Sequence, residues 1–249
     1  MHNLSLRQKS MIDLIHTQEY CTIEALASHF DVTTQTIRRD INQLCSLGLA
    51  RRHHGGVGLP TTLSNRSFTS RSATNLTEKQ QIAKQVVSKI PDGCTLFLGI
   101  GTTIAAIAEQ LGDHKHLRVV TNNFQAAHIL AEFEQVETWL AGGRLRTNDG
   151  DVVGDHVASF FGQFAADIGI VCCAAVNKVS SVTDLTALEP NKEEFALEHE
   201  LREAAVSQSI LAGAQQRWLV ANSTKWQSKA SARVAPLSYF DRVFGRPKL

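Results

Sequence analysis

The run Thr33-Thr34-Gln35-Thr36-Ile37-Arg38-Arg39 sets six hydrogen-bonding side chains around one apolar residue. Gln and Arg can each make paired hydrogen bonds with the edge of a base, and Thr hydroxyls suit phosphate oxygens. Such a group fits the major groove of double-stranded DNA. Spacing alone does not say which of Gln35, Arg38 or Arg39 reads bases, and Arg39 beside Asp40 fits a surface ion pair as well as a groove contact. Arg51, Arg52 and His53 follow. From Arg51 to Arg71 there are four arginines, two histidines and no acid, a balance that suits a polyanion.

A second group of residues suits a small anion. Gly99-Ile100-Gly101-Thr102-Thr103 combines glycines, which let a ligand approach the backbone, with hydroxyl donors and free N–H groups. Thr121-Asn122-Asn123 and Gly142-Gly143-Arg144 offer polar or glycine-rich loops of the same kind. Gly101, Thr102, Thr103, Asn122, Gly142 and Gly143 are the expected contacts to a phosphorylated metabolite. Among these loops no acid stands out as the base that sugar-phosphate isomerisation needs, so an isomerase-like enzyme is the weaker alternative. No metal or cofactor is expected. His53-His54 has no third ligand near it in sequence, and the five cysteines, at 21, 45, 94, 172 and 173, have no CxxC spacing. Cys172 and Cys173 follow the apolar run 168–171 and read as small buried hydrophobes.

These groups need elements to hold them. A chain of 249 residues with 43% hydrophobic and 20% charged residues is expected to form two soluble domains. The first 76 residues carry eight Lys and Arg against five Asp and Glu, and the remainder seventeen against nineteen. The basic excess therefore lies at the N-terminal end. There is neither a signal peptide nor a run of about 20 apolar residues, so a cytoplasmic protein with no membrane partner is expected.

Apolar spacing predicts three helices in the N-terminal domain, residues 1–58. The first spans Ser5–Thr17, with Leu6, Met11, Leu14 and Ile15 inward. The second, Ile23–Phe30, is capped by Thr22. In the third, Thr33 is the N-cap, Ile37, Ile41 and Leu44 form the buried stripe, and Gly48 is the residue just past the end. Two helices joined by a short turn make a helix-turn-helix. Leu49–Val57 then reads as a basic hairpin wing turning at Gly55-Gly56.

Residues 59–76 read as a linker, since Thr61–Asn75 is rich in Ser, Thr, Asn and Arg without periodicity. In residues 77–249 helix and strand patterns alternate. They run as helix Glu78–Ile90, strand Thr95–Ile100, helix Thr102–Leu111, strand Leu117–Val120, helix Phe124–Phe133 and strand Val136–Ala141. This alternation predicts an α/β domain with a mainly parallel sheet, whose ligand sites lie beyond the carboxyl ends of the strands. Pro190-Asn191 is placed to start a further helix, with Leu197, Leu201 and Ala205 as its buried stripe.

The run Val32–Asp40 followed by Arg52-His53-His54-Gly55-Gly56 resembles the signature of the DeoR family of bacterial regulators. The stretches QTIRRD, RHHGG, EKQQIA, GTT, VVTNN, LAGGRLR and DG..VG extend the resemblance to about residue 170. It implies a winged helix-turn-helix that binds operator DNA as a homo-oligomer and represses a carbon-metabolism operon. It also implies a C-terminal domain similar to ribose-5-phosphate isomerase, induced by a phosphorylated metabolite such as glycerol 3-phosphate. Lys225, in Ser223-Thr224-Lys225-Trp226, falls near the family's late Ser-Lys motif, which fits a phosphate partner or a solvated lysine. Beyond residue 170 the chain departs from the pattern. Glycine is absent from Ile170 to Ala212, Glu203 fits the family's helical acid, and Ser207 stands where a lysine is expected. A regulator whose C-terminal domain no longer answers a ligand is therefore a further alternative.

Overall fold

A computed structural model describes residues 4–18, 20–53, 56–58, 68–146, 149–180 and 192–247, and divides into two units, Met1–Thr74 and Asn75–Leu249. The first contains α1 (Leu6–Gln18), β1 (Tyr20–Thr22), α2 (Ile23–His29), α3 (Thr34–Ser46), β2 (Arg51–His53), β3 (Gly56–Gly58) and α4 (Phe68–Ala73). Met11, Ile15, Leu26, Ile37, Ile41, Leu44 and Val57 form its core. Leu6, expected inward, is 83% exposed. The inward stripe of α1 is Gln8, Met11 and Ile15, and Gln8 enters it because it has polar partners on α3. The wing has a third strand. β3 pairs antiparallel with both β2 and β1, placing Cys21 opposite Val57, so the wing is stitched to the start of α2. A strand of three residues shows too little alternation to be read from sequence. Of the expected turn residues, Gly55 lies outside the described residues and Gly56 is the first residue of β3, opposite His53.

The stretch 61–75, read as linker, holds α4; residues 59–67 lie outside the described residues. A helix of six residues is too short to display periodicity. Its Ser72 hydroxyl donates back to Phe68 O at 2.9 Å, a use of serine that composition reads as loop.

The second unit contains α5 (Leu76–Val87), β4 (Thr95–Leu98), α6 (Thr102–Ala108), β5 (Leu117–Thr121), α7 (Phe124–Leu130), β6 (Val136–Leu140), β7 (Arg144–Arg146), β8 (Asp151–Val153) and α8 (Val157–Phe161). It continues with β9 (Ala166–Val171), β10 (Ala175–Ser180), β11 (Lys192–Glu198), α9 (Leu201–Ala212), β12 (Ala214–Val220), β13 (Ala232–Pro236) and β14 (Arg242–Phe244). Six strands form a parallel sheet in the order β14-β12-β9-β4-β5-β6. Side chains alternate through it. Leu96 and Leu98 pack into one core with α5, α6 and α7, and Phe97 faces the other with Phe161, Ile210 and Leu211. Parallel strands covered on both faces account for the expected apolar runs. From β4 the chain winds outward to β5 and β6, then returns to β9 on the other side. The strand ends beside β4 are therefore a topological switch point.

The helix expected from Pro190-Asn191 is not found among the described residues. Those two residues lie outside the described ones, and Lys192–Glu198 is a strand between β10 and β13. Leu197 is buried in that strand, while Leu201 is 79% exposed at the start of α9 and Ala205 is exposed. The spacing of Leu197 and Leu201 mimicked a helical stripe across a strand-to-helix junction. Helix α9 starts instead at a capping box, in which Glu200 accepts from the backbone of Glu203 and Glu203 Oε2 accepts from Glu200 N at 3.1 Å.

Candidate DNA-binding face and effector site

Helix α3 is started and aimed by two devices. Thr33 Oγ1 accepts from Thr36 N at 3.3 Å and lies 3.0 Å from Thr36 Oγ1, so these two hydroxyls act as the cap. Asp40 is 6% exposed and faces α1, accepting from Arg7 Nε at 2.7 Å and Gln8 Nε2 at 3.0 Å. Gln8 Nε2 also donates to Gln43 Oε1 at 2.8 Å. The ion pair that sequence offered between Arg39 and Asp40 is therefore replaced by one between Arg7 and Asp40. Helical geometry explains this, because neighbours i and i+1 point to different faces.

The opposite face is free. Thr34, Gln35, Arg38 and Arg39 are exposed, Thr36 is partly so, and neither arginine has an ion-pair partner among the described residues. Buried Ile37 and Ile41 underlie this face. Beside it, Arg52 Nη1 donates to Asn42 Oδ1 at 3.1 Å, tying the wing to α3. The side chains of Arg51 and His53 lie outside the described residues; their backbones form β2.

In the second unit the three loops picked out in the sequence follow β4, β5 and β6, which are neighbours in the sheet. Gly101 adopts a φ of +116°, and a Cβ there would come within 3.3 Å of Cys172 Cβ. Its carbonyl accepts from Asn123 Nδ2 at 3.1 Å, which binds the first loop to the second. Thr102 is partly exposed and Thr103 is buried. Gly142 and Gly143 are exposed on the third loop, where His156 Nε2 donates to Gly142 O at 2.6 Å. Lys225 lies in a 3-10 turn after β12 that Glu78 of α5 holds, accepting from Ser223 N at 2.7 Å and Ser223 Oγ at 2.9 Å. Burial pushes the Cys172 thiol up, and the nearby Lys225 charge works against it.

Gly143 is under local constraint, with φ +148° and a hypothetical Cβ 2.7 Å from Val153 O. Gly143→Ala is expected to destabilise the second unit by about 1–3 kcal/mol. Urea unfolding followed by tryptophan fluorescence will report it, since Trp139, Trp218 and Trp226, the only three, all lie in that unit. An unchanged midpoint would show that the loop has room to relax.

A narrow cleft of about 20 Å³ lies at the switch point, lined by residues that include Gly99, Asn122, Asp151, Arg202, Glu203 and Ser207. Of the expected contact residues, Asn122 lines it. The residues that sequence reasoning missed surround Arg146, whose side chain is 12% exposed. Its Nε donates to Asp151 Oδ1 at 2.9 Å, and its Nη2 to Asp151 Oδ2 and to Glu203 Oε1, both at 2.7 Å. Asp149 Oδ2 lies 3.3 Å and Glu200 Oε1 3.5 Å from Nη1. One guanidinium thus holds the β7–β8 hairpin to α9. Burial pulls the Arg146 pKa down, but the bonds to Asp151 and Glu203 outweigh it and hold the group above its ordinary value. Burial raises the Asp151 carboxyl, with Arg146 opposing and Asp149 and Glu203 adding to the rise. The signal in sequence was slight: an arginine followed by aspartates three and five residues on, and a distant Glu203.

Comparison with known proteins bears on both units. Residues 7–62 match the DeoR-like helix-turn-helix domain and residues 74–245 the DeoR C terminal sensor domain. The chain is 36% identical over 238 residues to the glycerol-3-phosphate regulon repressor of Escherichia coli K12, covering 96% of this chain and 89% of that one. It is 34% identical over 238 residues to the HTH-type transcriptional repressor CsqR of the same organism, covering 96% and 86%. Among solved structures, ribose 5-phosphate isomerase A of Methanocaldococcus jannaschii is similar over 61% of this chain and 55% of its own, with 14% identity and a TM-score of 0.41. With both of its units matched and its relatives named as repressors, the chain belongs to the DeoR family of transcriptional regulators.

Proposed function

We propose that this protein is a cytoplasmic repressor that grips double-stranded operator DNA with α3 and its wing, as a homo-oligomer, and releases it when a phosphorylated metabolite occupies the sensor unit. One observation carries the first half. The outward face of α3 presents Gln35, Arg38 and Arg39 exposed, while a buried Asp40 fixes the helix from behind. A free polar face on a rigid support is what base and phosphate contacts require. Thr33 and Thr34 lie at the helix start, where phosphate contacts belong, and Arg51, Arg52 and His53 lie along the wing. Support for the second half comes from the strand-end loops. Gly101 has no side chain to obstruct the backbone, Thr102 is partly exposed, Gly142 and Gly143 are accessible, and Lys225 adds a positive charge. Glycerol 3-phosphate is the first compound to try, because a repressor 36% identical to this chain is named for its regulon.

We read the sensor unit as non-catalytic. Contrary to the sequence reading, two acids do reach the cleft, Asp151 and Glu203, but both already accept hydrogen bonds from Arg146. A carboxylate engaged in this way is poorly placed to take a proton from a substrate. Footprinting of the full chain on duplexes it selects from a random pool tests the DNA half. Protection of two related half-sites about one helical turn, or a multiple of it, apart is expected, with binding that weakens steeply as salt rises. No selected sequence, or binding indifferent to salt, would overturn it.

A further inference from the structure

Asn122 is 2% exposed and lines the cleft, yet its side-chain oxygen has no hydrogen-bond partner among the described residues. Its orientation is fixed by its neighbour. The side-chain amide donates from Nδ2 to Val152 O at 3.2 Å, and Val152 N donates at 2.8 Å to the Asn122 backbone oxygen. Since Val152 O can only accept, the amide cannot be flipped, and Oδ1 must point away from β8. A buried amide oxygen without a donor is costly and calls for one.

The walls beside it give that oxygen no hydrogen bond among the described residues, although the lining includes the Ser207 hydroxyl. Asp151 and Glu203 are acceptors shared with Arg146, which stands behind them and is not itself among the lining residues. Counting Asp149 and Glu200, four carboxylates surround that one guanidinium. The one cationic lining residue, Arg202, has a side chain 70% exposed at the mouth, 3.6 Å from Asp155. The interior of the cleft is thus rich in acceptors and negative in balance. It would repel a phosphate or carboxylate and welcome a hydroxyl.

We propose that this cleft is the subsite for the alcohol end of the effector, where a hydroxyl donates to Asn122 Oδ1 and the charge of Asp151 and Glu203 excludes phosphorylated acids. This rests on the reading that the effector is phosphorylated, and it assigns the phosphate to the Gly101 and Lys225 loops outside the cleft. The subsite selects alcohols over acids of the same length.

Calorimetric titration of the full chain tests it with matched probes: glycerol 3-phosphate against 3-phosphoglycerate, glucose 6-phosphate against 6-phosphogluconate, with propyl phosphate, inorganic phosphate and ribitol alongside. At least one alcohol should bind about tenfold or more tightly than its acid partner, and glycerol 3-phosphate should outbind propyl phosphate, which has no hydroxyl. Asn122→Ala should reduce the advantage of the alcohols over propyl phosphate to about twofold while leaving inorganic phosphate unchanged. Glu203→Gln, which keeps an oxygen for Arg146, should raise the affinity of the acids and serves if the first variant does not fold. Acids binding as well as alcohols, or both variants leaving every ratio unchanged, would overturn the subsite while phosphate binding survived. Ribitol binding that depends on Asn122, with no phosphate compound bound, would keep the subsite and overturn the phosphorylated effector. Silence from every probe would overturn both.

Discussion

Replacing Arg146 by methionine is expected to destabilise the sensor unit by about 3–5 kcal/mol at neutral pH, the largest single effect anticipated in that unit. Methionine keeps much of the aliphatic bulk and removes the guanidinium. Asp151 and Glu203, whose side chains are 2% and 8% exposed, would then be buried together without that cation. The deficit has a pH signature. Burial already raises the folded-state carboxyl of Asp151 above its ordinary value, and Arg146 is what opposes that rise. Without Arg146 the folded-state pKa moves further up. A carboxyl raised on folding favours the protonated native state at low pH, and this contribution is lost as pH rises through the folded pKa. The variant should accordingly recover part of its deficit between pH 7 and pH 5. Urea unfolding at the two pH values, read by tryptophan fluorescence, will show a smaller difference from the native protein at the lower pH. Equal differences at both would mean that the carboxylates find other partners.

Gln35→Ala and Arg38→Ala should each weaken binding to a selected duplex by about 1–3 kcal/mol, or roughly 5- to 150-fold, without altering the unfolding of the sensor unit. The two losses separate by their salt dependence. A residue that reads a base relaxes sequence preference at one position, whereas one that neutralises a phosphate lowers affinity for all duplexes and reduces the salt slope by about one. Asp40→Asn offers the control for positioning. It keeps an acceptor for only one of the donors Gln8 and Arg7, sets an amide N–H against the other and removes the charge, touches no DNA-facing residue, and should act through the stability of the first unit. Anisotropy titrations over a salt series distinguish these cases, and wild-type affinity in both Gln35→Ala and Arg38→Ala would show that α3 does not face the groove.

Much of this architecture was legible in the residues because the relevant signals are local. Thr33 caps a helix whose stripe Ile37, Ile41 and Leu44 repeats at helical spacing, so helix and polar face could be read together. The alternating apolar strands after Cys94 predicted a parallel sheet, and the sheet brings the Gly99–Thr103, Asn122 and Gly142 loops to adjacent strand ends. What escaped notice depends on distance along the chain. Arg146 and Glu203 are 57 residues apart and meet only because α9 folds over the β7–β8 hairpin. Arg7 reaches Asp40 across 33 residues, where sequence offered the adjacent Arg39. The strand Lys192–Glu198 was hidden by leucines whose spacing spans a strand and the helix after it. Buried ionic groups announce themselves in sequence as ordinary surface charges, since composition carries no trace of what will cover them.

On the proposed function, a ligand in the sensor unit changes the affinity of α3 for DNA. Linkage requires that any such ligand bind the DNA-free form more tightly, by the same factor by which it weakens DNA binding. The direct measurement is the affinity of the full chain for its selected duplex at one salt concentration, with and without saturating glycerol 3-phosphate or glucose 6-phosphate. A fall of about 5- to 150-fold with at least one of them is predicted. Superimposable binding curves in the presence of a phosphate compound shown by calorimetry to be bound would contradict it.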